Sequence, residues 1–282
     1  MNPLVTPLWL AERRADPLVK VLDTSWYMPQ AKRNPAAEFA AEHIPGAQFF
    51  DIDAQSDASS PWPHMLPSPA KFETAMTVFG IGNDTTVMVY DTAGLFSAPR
   101  VWWMFLAMGH DKVVILDGGL PAWKRVDYPV VSRATPQQPA TRFTARPNTT
   151  IIRNFEDVLG IVMDHSAQLL DARGAPRFYA REPEPRPGVR GGHIPGSINV
   201  HYADLIASDG TLKPAGTLTA LFESRGVDLA APIVTSCGSG VTAAILMLEL
   251  VVAGAQDVAL YDGSWSEWGA RPEAPVERVQ AE

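Results

Sequence analysis

The chain has 282 residues, 46% of them apolar and 19% charged, which is the composition of a folded protein of two domains or one large one. Its 23 basic and 31 acidic residues sum to −8 with no run of Lys and Arg, which argues against a nucleic-acid partner. A single cysteine excludes a disulfide framework and a multi-cysteine metal site within one chain, and the longest apolar stretch, 243–253, carries Glu249 and falls short of the about 20 residues that span a bilayer.

In chain order, the N-terminus has no basic region ahead of an apolar block, so the expectation is a cytoplasmic protein without a membrane partner. Short apolar, β-rich runs then predict buried parallel strands at Leu18–Leu22, Thr86–Tyr90 and Lys112–Leu116. Pro69–Phe79 and Ala98–Met108 read as helices, the first stopped by Gly80. Residues 132–150 lack apolar periodicity and carry three prolines, which is the composition of a semi-extended linker. Beyond it come strands at Gln168–Leu170, Ile233–Ser236 and Asp257–Tyr261, with helices at Leu218–Ser224, before Gly226, and Val241–Val252. Strand–helix alternation predicts an α/β fold, each half holding a mostly parallel sheet flanked by helices.

The two halves also resemble each other. VKVLD at 19–23 matches QLLD at 168–171, and EHIPGA at 42–47 matches GHIPGS at 192–197. VMVYD, ending at Asp91, matches IVTSC, ending at Cys237, and VILDGGLPAW matches ALYDGSWSEW. The offsets are 148, 150, 146 and 145, in the same order along the chain. This predicts domains at 1–135 and 149–282 joined by a linker over 136–148.

The one cysteine, Cys237, ends a predicted strand and enters Gly238-Ser239-Gly240-Val241-Thr242, the turn into a helix. Ligands bind at that edge of an open α/β sheet. Glycines let successive N–H groups point inward as an anion nest, and the helix start adds more unpaired N–H groups. Such a turn favours the thiolate and suits a sulfur anion or a persulfide. A small buried hydrophobe is the bland alternative, and the Gly-Ser-Gly turn counts against it. The first half has Asp91 at this position, which cannot carry sulfur, so that half reads as catalytically silent and Asp91 as making a local or interdomain hydrogen bond.

Here the chain resembles the tandem-domain rhodanese-like sulfurtransferases. Phe39-x-x-x-His43-Ile44-Pro45-Gly46-Ala47 is similar to that family's N-terminal signature, and Tyr261-Asp262-Gly263-Ser264-Trp265-Ser266-Glu267-Trp268 to its C-terminal one. The neutral loop after Cys237 resembles the branch that uses 3-mercaptopyruvate; thiosulfate-specific relatives carry Arg and Lys where Gly238 and Ser239 stand. The resemblance assigns Cys237 as nucleophile and Arg177 and Arg186 as the grip on the substrate's carboxylate and carbonyl, a match for a planar guanidinium fork. Gly238, Ser239, Gly240, Val241 and Thr242 would line the substrate.

Arg173, Arg181 and Arg190 read as solvated surface groups. His43 and His193, at matching positions, read as structural. The resemblance also raises a relay from an aspartate through His43 to Ser239, although the aspartate's place falls on Asn34. Trp102, Trp103, Trp265 and Trp268 read as packing. The implied reaction moves sulfur from 3-mercaptopyruvate through a Cys237 persulfide to thioredoxin, a small thiol or cyanide, releasing pyruvate, with no metal and no cofactor. Alternatives are a thiosulfate sulfurtransferase and a non-catalytic sulfur carrier. A cysteine phosphatase expects an arginine six residues on, where Ala243 stands.

Overall fold

The computed structural model describes residues 3–132, 135, 139 and 141–278, and it divides into two units. Unit 1 takes the chain up to Ala58, then Leu66–Asn148, then Ala207–Leu212; unit 2 takes Ser59–Met65, Thr149–Ile206 and Lys213 onward.

Unit 1 holds β1 (Leu4–Val5), β2 (Val19–Asp23), β3 (Ala47–Phe49), β4 (Thr86–Tyr90) and β5 (Val113–Leu116). Its helices are α1 (Pro7–Arg13), α2 (Pro35–Ala41), α3 (Ile52–Gln55), α4 (Pro69–Phe79), α5 (Ala98–Ala107) and α6 (Gly119–Arg125). Unit 2 holds β6 (Ile152–Arg153), β7 (Gln168–Asp171), β8 (Ile198–Asn199), β9 (Ile233–Ser236) and β10 (Val258–Tyr261). Its helices are α7 (Phe155–Asp164), α8 (Ala175–Phe178), α9 (Ala215–Ser224), α10 (Val241–Ala253) and α11 (Ser264–Trp268).

The sheets run β1-β5-β4-β2-β3 and β6-β10-β9-β7-β8, the same order, with every neighbouring pair parallel. Identical topology is what two copies of one sequence pattern demand. The middle strands β4 and β9 are buried almost throughout, which explains their unbroken apolar runs. Repeat-matched residues also share core positions. Ile44, Leu120 and Trp123 anchor one cluster, and Ile194, Trp265 and Trp268 the other. Trp102 and Trp103 are buried as expected.

Boundaries shift by a residue or two, with one larger change. Helix α9 starts at Ala215, a turn before the expected Leu218. The Pro214 carbonyl accepts the amides of Thr217 and Leu218, so the proline opens the helix. Gly80 and Gly226 take left-handed conformations after α4 and α9. The edge strands β1, β3, β6 and β8 and the helices α1, α2, α3, α6, α7, α8 and α11 carry no expectation from the sequence.

The linker reading is corrected in part. Residues 136–138 and 140 lie outside the described residues. Residues 141–148 are docked along unit 1. Phe143 is buried edge-on against Phe72, Asn83 makes two 2.9 Å bonds to the Thr144 backbone, and the Arg146 and Asn148 amides reach the carbonyls of Met108 and Ala107. Among the described residues no helix is long and apolar enough to cross a membrane.

Candidate active site

The register of unit 2 decides what meets at its sheet edge. Ser236 pairs with Asp171, so Cys237 emerges beside the segment that runs from Asp171 through Arg173 to Arg177. Gly240, at φ +80°, then turns the chain into α10, a conformation that costs any residue with a Cβ. The turn brings the Gly240 N–H to 3.1 Å from the Cys237 sulfur, which is 1% exposed.

Helix α11 fixes this loop from outside. The amides of Trp265 and Ser266 donate to the carbonyls of Cys237 and Gly238, each at 2.9 Å, and the Ser266 hydroxyl adds a second bond to Gly238. Ser264 Oγ accepts the Cys237 amide at 3.2 Å and donates to the Tyr261 carbonyl. The Ser264-Trp265-Ser266 run is therefore a clamp. By holding two carbonyls outside the loop, it leaves the interior to amide N–H groups. Val241 is buried and Thr242 half-buried at the start of α10.

Arg177 reaches the loop from α8. Its Nη2 would lie 3.2 Å from a Cβ at position 238, so Gly238 is where the backbone makes room for the guanidinium. Glu184, almost fully buried, holds Arg177 at 2.5 Å through one carboxylate oxygen and Arg173 at 2.8 Å through the other. Arg173 in turn grips Asp171 through Nε and Nη2, donates to the Gly192 carbonyl at 2.8 Å, and lies 4.5 Å above the Trp265 ring. Burial works against the Arg173 charge, and the carboxylates of Asp171 and Glu184, with Cys237 a lesser contributor, hold its guanidinium above the ordinary value. An alternating ladder of Asp171, Arg173, Glu184 and Arg177 thus ends at the cysteine loop. Arg186 lies half-buried in the same proline-rich segment.

Two of the surface readings are corrected. Arg173 is 2% exposed, and Arg190 spends its guanidinium on the carbonyls of Trp268, Gly269, Arg271 and Ala274. Counting arginines in a proline-rich stretch misses that carbonyls and carboxylates converge on them in space. Arg181 is exposed, over the Tyr179 ring.

The relay reading also changes partner. The Ser239 hydroxyl lies 2.9 Å from Nδ1 of His64, both groups buried. His64 belongs to unit 2 because Ser59–Met65 packs there. His43 is engaged elsewhere, its Nδ1 at 2.6 Å from the Phe39 carbonyl and its ring stacked on Phe39 at 4.0 Å. His193 repeats this arrangement on Phe178. Both histidines also bridge through their backbones, to Val131 and Glu277, the structural role their twin positions suggest. Asn34 caps α2 through its side chain. His64 has no counterpart in the repeat, and the only signal for it is a histidine fixed between prolines in PWPHMLP.

In unit 1 the equivalent loop is filled by its own side chain. The Asp91 carboxylate accepts four amides, those of Ala93, Phe96, Ser97 and Ala98, at 2.8–2.9 Å. The nest persists, and a carboxylate sits where a bound anion would.

A cysteine loop at the sheet edge, in a duplicated five-stranded parallel α/β unit, is the architecture of the rhodanese class, and the chain belongs to it: the rhodanese-like domain family matches residues 6–126 and 155–271. The chain is 47% identical to the 3-mercaptopyruvate sulfurtransferase of Escherichia coli K12 over 96% of each. It is 42% identical to the thiosulfate sulfurtransferase of Mus musculus, covering 97% of this chain and 93% of that one. The crystal structure of SseA from Escherichia coli, a 3-mercaptopyruvate sulfotransferase, superposes with a TM-score of 0.86 at 44% identity, covering 94% of this chain and 99% of that one.

Proposed function

We propose that the protein is a sulfurtransferase that takes sulfur from 3-mercaptopyruvate and passes it on through Cys237. The observation that carries this reading is the Cys237 loop, whose sulfur receives the Gly240 N–H and which has Arg177 laid against Gly238. The Cys237 thiolate attacks the donor's sulfur. An S–S bond forms, the C–S bond breaks, and its electron pair passes to the carbon as the enolate of pyruvate, which takes a proton. The persulfide then yields its outer sulfur to a second thiolate or cyanide and regenerates Cys237.

Arg177 and Arg186 bind the donor's carboxylate and carbonyl. Charge grows on the enolate as the bond breaks, so these contacts strengthen in the transition state. Ser239 and His64 form the hydroxyl–imidazole pair beside the loop, placed to move the proton that the enolate requires. Thioredoxin or a small thiol is the acceptor in this scheme, and the cytoplasm is its setting.

Thiosulfate is the second reading, since it is a small sulfur anion that the same nest suits. The loop has no cation of its own at 238 or 239, which favours a donor whose charge lies away from its sulfur. Comparing kcat/KM for the two donors tests this. The proposal expects mercaptopyruvate to be preferred by tenfold or more, about 1.4 kcal/mol. Preference for thiosulfate would reverse the assignment, and turnover of neither would leave a carrier.

A further inference from the structure

Unit 1 keeps a cavity of about 640 Å³ at the place that corresponds to the active site of unit 2. The correspondence is structural as well as sequential. The Leu120 amide donates to the Asp91 carbonyl at 3.0 Å, as the Trp265 amide does to Cys237. The cavity is lined by Thr92, which follows Asp91, and by Leu120 and Pro121 of the matching helix. Arg33 lines it from the segment between Asp23 and His43, the repeat counterpart of the segment that carries Arg177 and Arg186. Lys124 and Arg125 complete a rim of three cations, against which stand Glu38 and Glu42.

What has changed is the floor. The Asp91 carboxylate occupies the loop's amides, so the cavity has neither a nucleophile nor a nest open to sulfur. The rim keeps the chemistry of a carboxylate clamp. Arg33 lies over the Tyr27 ring at 3.9 Å with its Nε and Nη2 on the two carboxylate oxygens of Glu38, at 2.8 and 2.6 Å, and Lys124 presents an ammonium. Tyr27 itself stays a phenol, its pKa pushed up to about 12 by burial and by the hydrogen bond to Glu38. Arg33 pairs with Glu38 and Lys124 with Glu42, all four side chains about a third to a half exposed. The single Lys124–Glu42 contact is of the exposed kind that holds weakly, so an incoming carboxylate can replace it, while at Arg33 the carboxylate shares the guanidinium with Glu38.

We propose that this cavity is a second, non-catalytic binding site for a small carboxylate anion, gripped by Arg33 and Lys124. The duplication that silenced the chemistry of unit 1 kept its recognition. Pyruvate, a small carboxylate, is the probe.

Calorimetric titration of pyruvate into the full chain carrying Arg177→Gln and Arg186→Gln, which disables the clamp of unit 2, isolates the site. The expected result is saturable binding of one pyruvate per chain, weakened about tenfold or more by adding Arg33→Gln with Lys124→Gln. Ala41→Trp, which fills the cavity and leaves the charges in place, should abolish binding with the circular dichroism spectrum unchanged. Absence of saturable binding overturns the proposal, and so does binding that both sets of variants leave intact. Neither outcome bears on sulfur transfer at Cys237, which a turnover assay of the unsubstituted chain reports separately.

Discussion

Asp91 and Cys237 occupy one position in two copies of one loop, and the difference between them is the difference between a filled cradle and a working one. Asp91→Ala removes the acceptor of four amides, and at about 1 kcal/mol or more per lost bond it should destabilise unit 1 by several kcal/mol. The same change should leave kcat within about threefold, since unit 1 supplies no nucleophile. Urea unfolding and a turnover assay on one preparation check both halves of the expectation; a hundredfold loss of kcat in folded protein would contradict it. Glu184 acts through another residue, splitting its carboxylate between Arg173 and Arg177. Glu184→Gln keeps the shape and drops the charge, so Arg177 should lose its aim. KM for mercaptopyruvate should rise about tenfold, with kcat falling less; a fall in kcat at unchanged KM would place Glu184 elsewhere in the mechanism. Cys237, the proposed nucleophile, stands out in the sequence because a lone cysteine in a glycine turn is a local pattern, and Arg177 and Arg186, the proposed substrate arginines, stand out through the family resemblance. Glu184 and His64 do not, because their meaning arises only when segments far apart in sequence converge.

At the scale of elements, α10 begins at Gly240 beside the cysteine and runs into the core of unit 2, carrying Glu249 with it. Among the described residues, neither Glu249 carboxylate oxygen has a hydrogen-bond partner. Burial pushes its carboxyl well above the ordinary range, with the Lys213 charge the one influence drawing it down. The folded chain therefore holds a proton that the unfolded chain releases above about pH 4.3. Stability from this group is greatest below that pH and falls as pH rises, by up to about 1.4 kcal/mol per unit. Glu249→Gln should flatten the dependence between pH 5 and 7 in urea unfolding, about the interval over which the free carboxyl has ionised; parallel curves for the two proteins would contradict the assignment. The sequence showed α10 almost to its ends, since a continuous apolar run flanked by glycines leaves little choice. It showed nothing of the edge strands, whose two or three residues take their conformation from a neighbouring strand rather than from their own pattern.

At the scale of the whole molecule, the repeat predicted two consecutive domains, and the units exchange short segments instead. Ser59–Met65 from the first half packs with unit 2 and brings His64 to Ser239, while Ala207–Leu212 from the second half packs with unit 1, where the Leu212 amide donates to Asp117 at 2.9 Å. The exchanged segments stand at matching positions of the repeat, 147–148 residues apart, but share no sequence pattern, so an offset count does not reveal where they pack. A fragment of residues 149–282 lacks the first segment, so it should melt at least about 5 °C below the full chain and recover when co-expressed with 1–148. Equal melting of the isolated fragment would mean that the exchange contributes no stability. The proposed chemistry turns on one atom, the sulfur of Cys237, and the intact mass of the protein after exposure to 3-mercaptopyruvate tests it. The expected result is a gain of one sulfur, located at Cys237, absent in Cys237→Ser and discharged by added thiol with pyruvate already released; turnover sustained by Cys237→Ser, or pyruvate release with no sulfur ever carried on the chain, would overturn the assignment of Cys237.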